Sequence, residues 1–194
     1  MNNLISLLTK EEKKALIIRS FKKNEIIFME DSVCDSIGIV IEGNIDIVSY
    51  SFSGKDIIYN SLKRDDIFGN NLLFSNNPRY KGNVICREKS TVAFIKKEPL
   101  VSLLQSNETF LKEYLKIQSD FGKRLNSKIK LLSFENALDR FLYYMYINNN
   151  EIQYKSVANL ARDLYLERET LSRLLSKLEK QGTIYRDKYL VKLL

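Results

Sequence analysis

The period of the apolar positions changes along this chain, and the changes mark its elements. Between Phe21 and Ile95 short β-type runs are bounded by turn residues about every ten positions. The runs are Glu25–Met29, Ser36–Ile41, Asn44–Ser51, Asp56–Leu62, Gly82–Arg87 and Thr91–Ile95. Turns are marked by Glu42-Gly43-Asn44, Ser53-Gly54-Lys55 and Asn76-Asn77-Pro78. Many short strands at this spacing predict an antiparallel sandwich or roll. Ahead of them, Leu4–Ile18 predicts a short helix. Thr9 and Glu12 there form a capping box, and Ala15, Leu16 and Ile18 supply apolar contacts.

After the strands the period becomes helical. Glu98–Leu104 predicts a short connecting helix, and Glu108–Leu132 a long one without proline. In the long stretch Leu111, Leu115, Gln118, Gly122, Leu125, Ile129 and Leu132 step alternately by four and three, the spacing of a coiled-coil seam. Such a seam packs on its own domain or on a second copy. Its length and its place between two candidate domains favour a parallel two-helix dimer, with Gly122 permitting close approach. Ser133–Asn136 breaks the heptad and is read as a hinge. Asn136 then caps a buried helix, Ala137–Tyr146, with Asp139 in its first turn, and Asn148-Asn149-Asn150 ends it.

Ser156 caps the next helix, whose Val157, Leu160, Ala161 and Leu164 are placed to pack on Leu171, Leu174, Leu175 and Leu178 of the following one. Gly182 is a natural residue just past a helix end. Thr183–Arg186 and Tyr189–Leu193 predict a small hairpin joined at Asp187-Lys188. Two short helices, a tight turn and a hairpin make a winged helix-turn-helix. Arg168, Glu169, Ser172 and Arg173 share one face of its second helix and are residue types that read base edges in a DNA major groove.

Composition narrows the alternatives. The 194 residues suit one large domain or two small ones, and 44% are hydrophobic. The longest purely apolar run, Phe141–Ile147, is far short of the roughly 20 residues of a membrane span, so no membrane association is expected. Met1-Asn2-Asn3-Leu4 offers no basic segment before an apolar one, so no secretory signal is expected and a cytoplasmic location follows. Histidine is absent, which removes the usual acid–base and triad chemistry and His-ligated haem. Walker and GxGxxG loops are absent too, so an enzyme is not expected. Cys34 and Cys86 are too few for an iron–sulfur cage. They read as reduced thiols, with a redox-sensing pair as the alternative. The net charge of +7 divides as +2 over 1–105, +3 over 106–133 and +2 over 134–194, too evenly to single out a polyanion site.

The order of parts resembles the Crp/Fnr family of bacterial transcription regulators. Arg168-Glu169-Thr170-Leu171-Ser172-Arg173 is similar to that family's R-E-T-[VL]-[GS]-R recognition helix. Asp66-Ile67-Phe68-Gly69 with Pro78-Arg79 is similar to the G-D-x-F-G…P-R segment of its effector-binding roll. The resemblance implies an α+β fold. An N-terminal antiparallel, cyclic-nucleotide-binding-like β-roll (1–105) would precede a dimerisation helix (106–133) and a C-terminal winged helix-turn-helix (134–194). It also implies a homodimer on an inverted repeat of double-stranded DNA, with RNA polymerase as a further partner. Arg168 would donate to guanine, Glu169 accept from cytosine, and Arg173 reach a second purine or a phosphate. Thr170 and Ser156 would hold phosphates.

Departures from the family pattern matter as much. Tyr165 stands where the turn usually has glycine, and Glu167 where the cap is usually serine. Asn70 replaces the glutamate that holds the ribose of cyclic AMP. Tyr80 and Lys81 fall at the phosphate-binding arginine and serine positions, with Arg79 one place early and so expected on the opposite face. Leu125 and Asn126 would face the base. Cyclic AMP binding is therefore not expected; no cofactor is expected, and the effector is unknown. The alternative function is a ligand-sensing or partner-binding module whose helix-turn-helix no longer grips DNA.

Overall fold

The computed structural model describes residues 4–52, 54 and 56–194. Apart from Gly54, the expected turn at Ser53-Gly54-Lys55 lies outside the described residues, as do Met1-Asn2-Asn3 of the chain start. The chain divides into two compact units, Met1–Asp120 and Phe121–Leu194, each with its own core.

In the first unit, β1 (Ile17–Phe21), β8 (Ser90–Lys96), β3 (Ser36–Glu42) and β6 (Ile67–Phe68) form one antiparallel sheet in that order. A second sheet runs β2 (Ile26–Phe28), β7 (Asn83–Cys86), β4 (Ile45–Tyr50) and β5 (Asp56–Leu62). The predicted runs are all present, and β1 and β6 are additions. Between the sheets Phe28, Phe68 and Phe94 meet edge to face, with centroids 5.9–6.5 Å apart. Gly38 makes room for this cluster, since a Cβ there would strike the Phe68 ring. Helix α1 (Lys97–Ser106) adds Leu100 and Leu103 to the core, and the first turns of α2 (Glu108–Ser133) add Phe110, Tyr114 and Ile117.

The helix expected over Leu4–Ile18 is not formed. Two single 3-10 turns, Leu4–Leu7 and Glu12–Ala15, stand there instead. The capping box is real: Thr9 N–H donates to Glu12 Oε2 at 2.7 Å and Glu12 N–H to Thr9 Oγ1 at 3.2 Å. The helix it starts is cut short because Ile17 and Ile18 enter β1 and pair with Phe94 and Ala93. β-branched residues fit a pleated surface better than a helix.

In the second unit, α3 (Ala137–Ile147) starts where expected, with Asn136 Oδ1 accepting from Asp139 N–H at 2.8 Å. It ends at Asn149 and Asn150, both left-handed. Helices α4 (Val157–Asp163) and α5 (Arg168–Lys180) follow, then the hairpin β10 (Ile184–Asp187) and β11 (Leu190–Leu193). A short strand, β9 (Glu151–Gln153), pairs with β11 and makes the sheet three-stranded. Phe141, Met145, Leu160, Leu171, Leu175 and Val191 form the core.

Candidate nucleic-acid interface

The segment that carries the recognition residues is built from local signals. Ser156 Oγ accepts from Asn159 N–H at 3.2 Å and sets the start of α4. Between α4 and α5 the chain turns at Tyr165, which adopts φ +53, the left-handed backbone more often given to glycine. The turn is thus kept rather than remodelled. Its carbonyl accepts from Arg140 Nη1 at 3.0 Å, while Arg140 Nη2 donates to the Phe134 carbonyl at 2.7 Å. The Tyr165 ring lies under Lys128 Nζ, 5.1 Å from its centroid.

Helix α5 begins at Arg168. Glu167 caps it by backbone alone, with no side-chain bond to the first-turn N–H groups. Those groups have no side-chain acceptor, while the carboxylates of Glu167 and Glu169 stand at the same end and complement the helix dipole. Leu171, Leu175 and Leu178 are buried on one side, whereas Arg168, Glu169 and Arg173 are exposed and Thr170 and Ser172 half-buried on the other. Among the described residues none of Arg168, Glu169 and Arg173 is in an ion pair, so the i,i+4 pair open to Glu169 and Arg173 is not made. The exposed face continues through Ser176, Lys177 and Lys180, which line a shallow groove with Arg173. Sequence reasoning passed over those residues, although they extend the same face at helical spacing. At the far end Gly182, at φ +68, closes a Schellman turn. Thr183 N–H donates to the Leu178 carbonyl and Gly182 N–H to that of Glu179, both at 3.0 Å. That fixes the exit into β10. Lys155 and Lys188 are exposed beside the hairpin turn.

The seam residues of α2 divide. Leu115 in the first unit, and Leu125, Ile129 and Leu132 in the second, are each between 45% and 56% exposed. Gly122 has open space around the position of a Cβ, and Leu111 is half-buried. Gln118 does not belong with them. Its Oε1 accepts from Asn70 Nδ2 at 2.6 Å, and its Nε2 donates to the Asn70 carbonyl at 3.0 Å and to Tyr114 Oη at 3.1 Å.

Within the first unit the residues expected to line an effector pocket have different surroundings. Asn70 is buried and committed to Gln118. Tyr80 points into the core, stacked on Phe28 at 4.6 Å. Arg79 and Lys81 on either side are exposed, as alternation requires. Lys81 therefore does not share Tyr80's surroundings. Leu125 and Asn126 belong to the second unit and are both exposed. Gly69, at φ +77, brings the chain close: a Cβ would lie 2.8 Å from the Ser36 carbonyl, 3.1 Å from Cys34 Sγ and 3.3 Å from Tyr80 Oη. Cys34 donates to the Ser36 and Gly69 carbonyls at 3.4 and 3.6 Å. The Tyr80 hydroxyl beside it has no well-formed hydrogen bond. Burial pushes the Cys34 thiol above its ordinary range and the Tyr80 hydroxyl far above its own. Both cysteines are buried, and neither is in a disulfide.

A cyclic nucleotide-binding domain model matches residues 18–107. The anaerobic regulatory protein of Bacillus subtilis is 25% identical over 185 aligned residues, covering 86% of this chain and 74% of the relative. A transcriptional regulator of Thermotoga maritima is 27% identical, covers 64% of this chain and 96% of its own, and superposes with a TM-score of 0.59. A CooA variant from Carboxydothermus hydrogenoformans has the same fold at 19% identity, with a TM-score of 0.70 over 100% of this chain and 91% of its own. No described helix is long and apolar enough to cross a membrane. Residues 18–107 thus match a cyclic nucleotide-binding domain, and in motifs and fold the chain is similar to the Crp/Fnr family of transcription regulators.

Proposed function

We propose that this regulator is a cytoplasmic homodimer that binds double-stranded DNA in a sequence-specific manner and has no enzymatic activity of its own. The observation that carries the reading is the α5 face: Arg168, Glu169 and Arg173 stand exposed, and without an ion pair among the described residues, in the N-terminal half of a 13-residue helix. An exposed Arg–Glu–Arg set is suited to guanine and cytosine edges. Residues 134–194 act as a winged helix-turn-helix, 106–133 as the dimerisation helix and 1–105 as the sensor. The exposed Leu115, Leu125, Ile129 and Leu132 support pairing with a second copy, with Gly122 at the close approach and Leu111 at its edge. The two copies of α5 would enter successive major grooves of an inverted repeat, about 34 Å apart. Ser156 and Thr170 hold phosphates, and RNA polymerase is the downstream partner.

We further propose that cyclic AMP is not its effector. The ribose-binding carboxylate is replaced by Asn70, which is occupied by Gln118, and the phosphate-binding arginine by Tyr80, whose ring is stacked on Phe28 in the core. Fluorescence anisotropy on a selected operator tests the main reading. Arg168→Ala should weaken binding at least tenfold and relax preference at one base pair of each half-site. Unchanged affinity and preference would refute it. Calorimetric titration with cyclic AMP should give no saturable heat, and micromolar binding would refute the second claim.

A further inference from the structure

The roll has an opening that none of Asn70, Tyr80 and Lys81 lines. It is a crevice of about 210 Å³ at the β1 edge. Ile17, Arg19 and Phe21 point to one side of β1, and Phe94 and Lys96 lie on the matching face of β8. Phe28 closes the crevice from the other sheet. The rings of Phe21 and Phe28 stand edge-on to Phe94 at 6.2 and 5.9 Å, so the walls are aromatic.

The mouth is charged. Arg19 and Lys96 are both exposed there, and among the described residues neither is in an ion pair or a side-chain hydrogen bond. Asp35 is the one acid on the lining, and it accepts from the Ser36 hydroxyl at 2.9 Å. Two unpaired cations against one carboxylate leave the mouth with a net positive charge. Charges on an edge strand also deter strand pairing. That role covers Arg19 on β1, while Lys96 lies beyond the last β1–β8 pair, Ile17–Phe94, at the start of α1.

We infer that this crevice is a binding site for a small hydrophobic carboxylate, its ring or short chain among Phe21, Phe28 and Phe94 and its carboxylate between Arg19 and Lys96. The size fits: an apolar cavity of about 150 Å³ accepts benzene, which leaves room here for a carboxylate. An occupant would press on Phe28, whose ring stacks on Tyr80. Tyr80 in turn packs at Gly69, next to the Asn70–Gln118 pair that reaches α2. The site thus deepens the regulator reading by supplying the class of its effector. Binding itself does not depend on that reading.

The test is calorimetric titration of the full chain, without DNA, with benzoate, benzyl alcohol and benzylamine. Benzoate should bind saturably, with a dissociation constant on the order of 1 mM or tighter. The neutral and cationic analogues should bind at least tenfold more weakly. Arg19→Gln with Lys96→Gln should weaken benzoate at least tenfold, and Ile17→Trp should remove it by filling the mouth. Ile17 is 38% exposed on an edge strand, so this change spares the core, and circular dichroism checks the fold of each variant. Absence of saturable binding, equal binding of the analogues, or folded variants that bind as well as the parent would overturn the proposal. Benzoate binding without selection of any DNA sequence would instead sink the regulator reading and leave the site standing.

Discussion

Gln118 ties the loop after β6 to helix α2, and a double-mutant cycle on Asn70 and Gln118 measures the tie. Asn70 is only 5% exposed, and its Nδ2 has Gln118 Oε1 as its partner. Gln118→Ala would strand that buried donor, at a cost of about 1–3 kcal/mol, and would also strip the Asn70 carbonyl and Tyr114 hydroxyl of a donor each. The sum comes to about 3 kcal/mol. Asn70→Ala removes one bond and leaves the half-buried Gln118 able to turn toward water, for about 1.5 kcal/mol. In the double variant no side-chain donor is stranded by its lost partner. Its cost should therefore fall short of the sum of the singles by about 1–1.5 kcal/mol. Urea unfolding followed by far-UV circular dichroism reads this at neutral pH, and if the units unfold separately the shift belongs to the first. A cycle that closes additively, within about 0.3 kcal/mol, would refute the claim that these residues act as a pair.

Three further outcomes are expected. Tyr80→Phe removes a buried hydroxyl without a good partner while keeping the stack on Phe28, so it should stabilise the fold by up to about 1 kcal/mol, and a lowered urea midpoint would contradict this. Burial holds the Cys34 and Cys86 thiols and the Tyr80 hydroxyl above their ordinary values, so above about pH 9 the unfolded chain loses protons that the folded chain keeps. Stability contributed by these groups is thus complete below that pH and is lost as pH rises, and urea midpoints at neutral pH and at about pH 10 should show the fall. Arg140→Lys, which cannot span the Phe134 and Tyr165 carbonyls together, should cost about 2 kcal/mol in thermal unfolding, and an unchanged midpoint would show that the bridge is dispensable.

Most of the architecture could be read from period and punctuation. Alternation located six of the eight described strands of the roll, and Asn136, Ser156 and Gly182 marked the helix ends where the caps are formed. What escaped was decided by pairing across the chain. Ile17–Phe21 follows a helix-forming run and becomes a strand only because β8 lies beside it. Ile67–Phe68 and Glu151–Gln153 are too short to show a period. In the recognition segment the residue types and their common face were legible, and so was the awkwardness of Tyr165. Its accommodation was not, because it depends on Arg140 and Lys128, distant in sequence. Gln118 fits the heptad by number, yet a polar side chain beside a buried amide turns to it instead. The crevice at β1 was invisible for the same reason: its walls come from separate strands.

The most direct test of the account is selection of binding sites from random duplex DNA by the purified protein at near-physiological salt, with and without benzoate. The account predicts enrichment of an inverted repeat with guanine in each half-site and half-site centres about one helical turn apart. Recovery of DNA with no enriched sequence in either condition would contradict it, because the α5 face would then hold phosphates without reading bases.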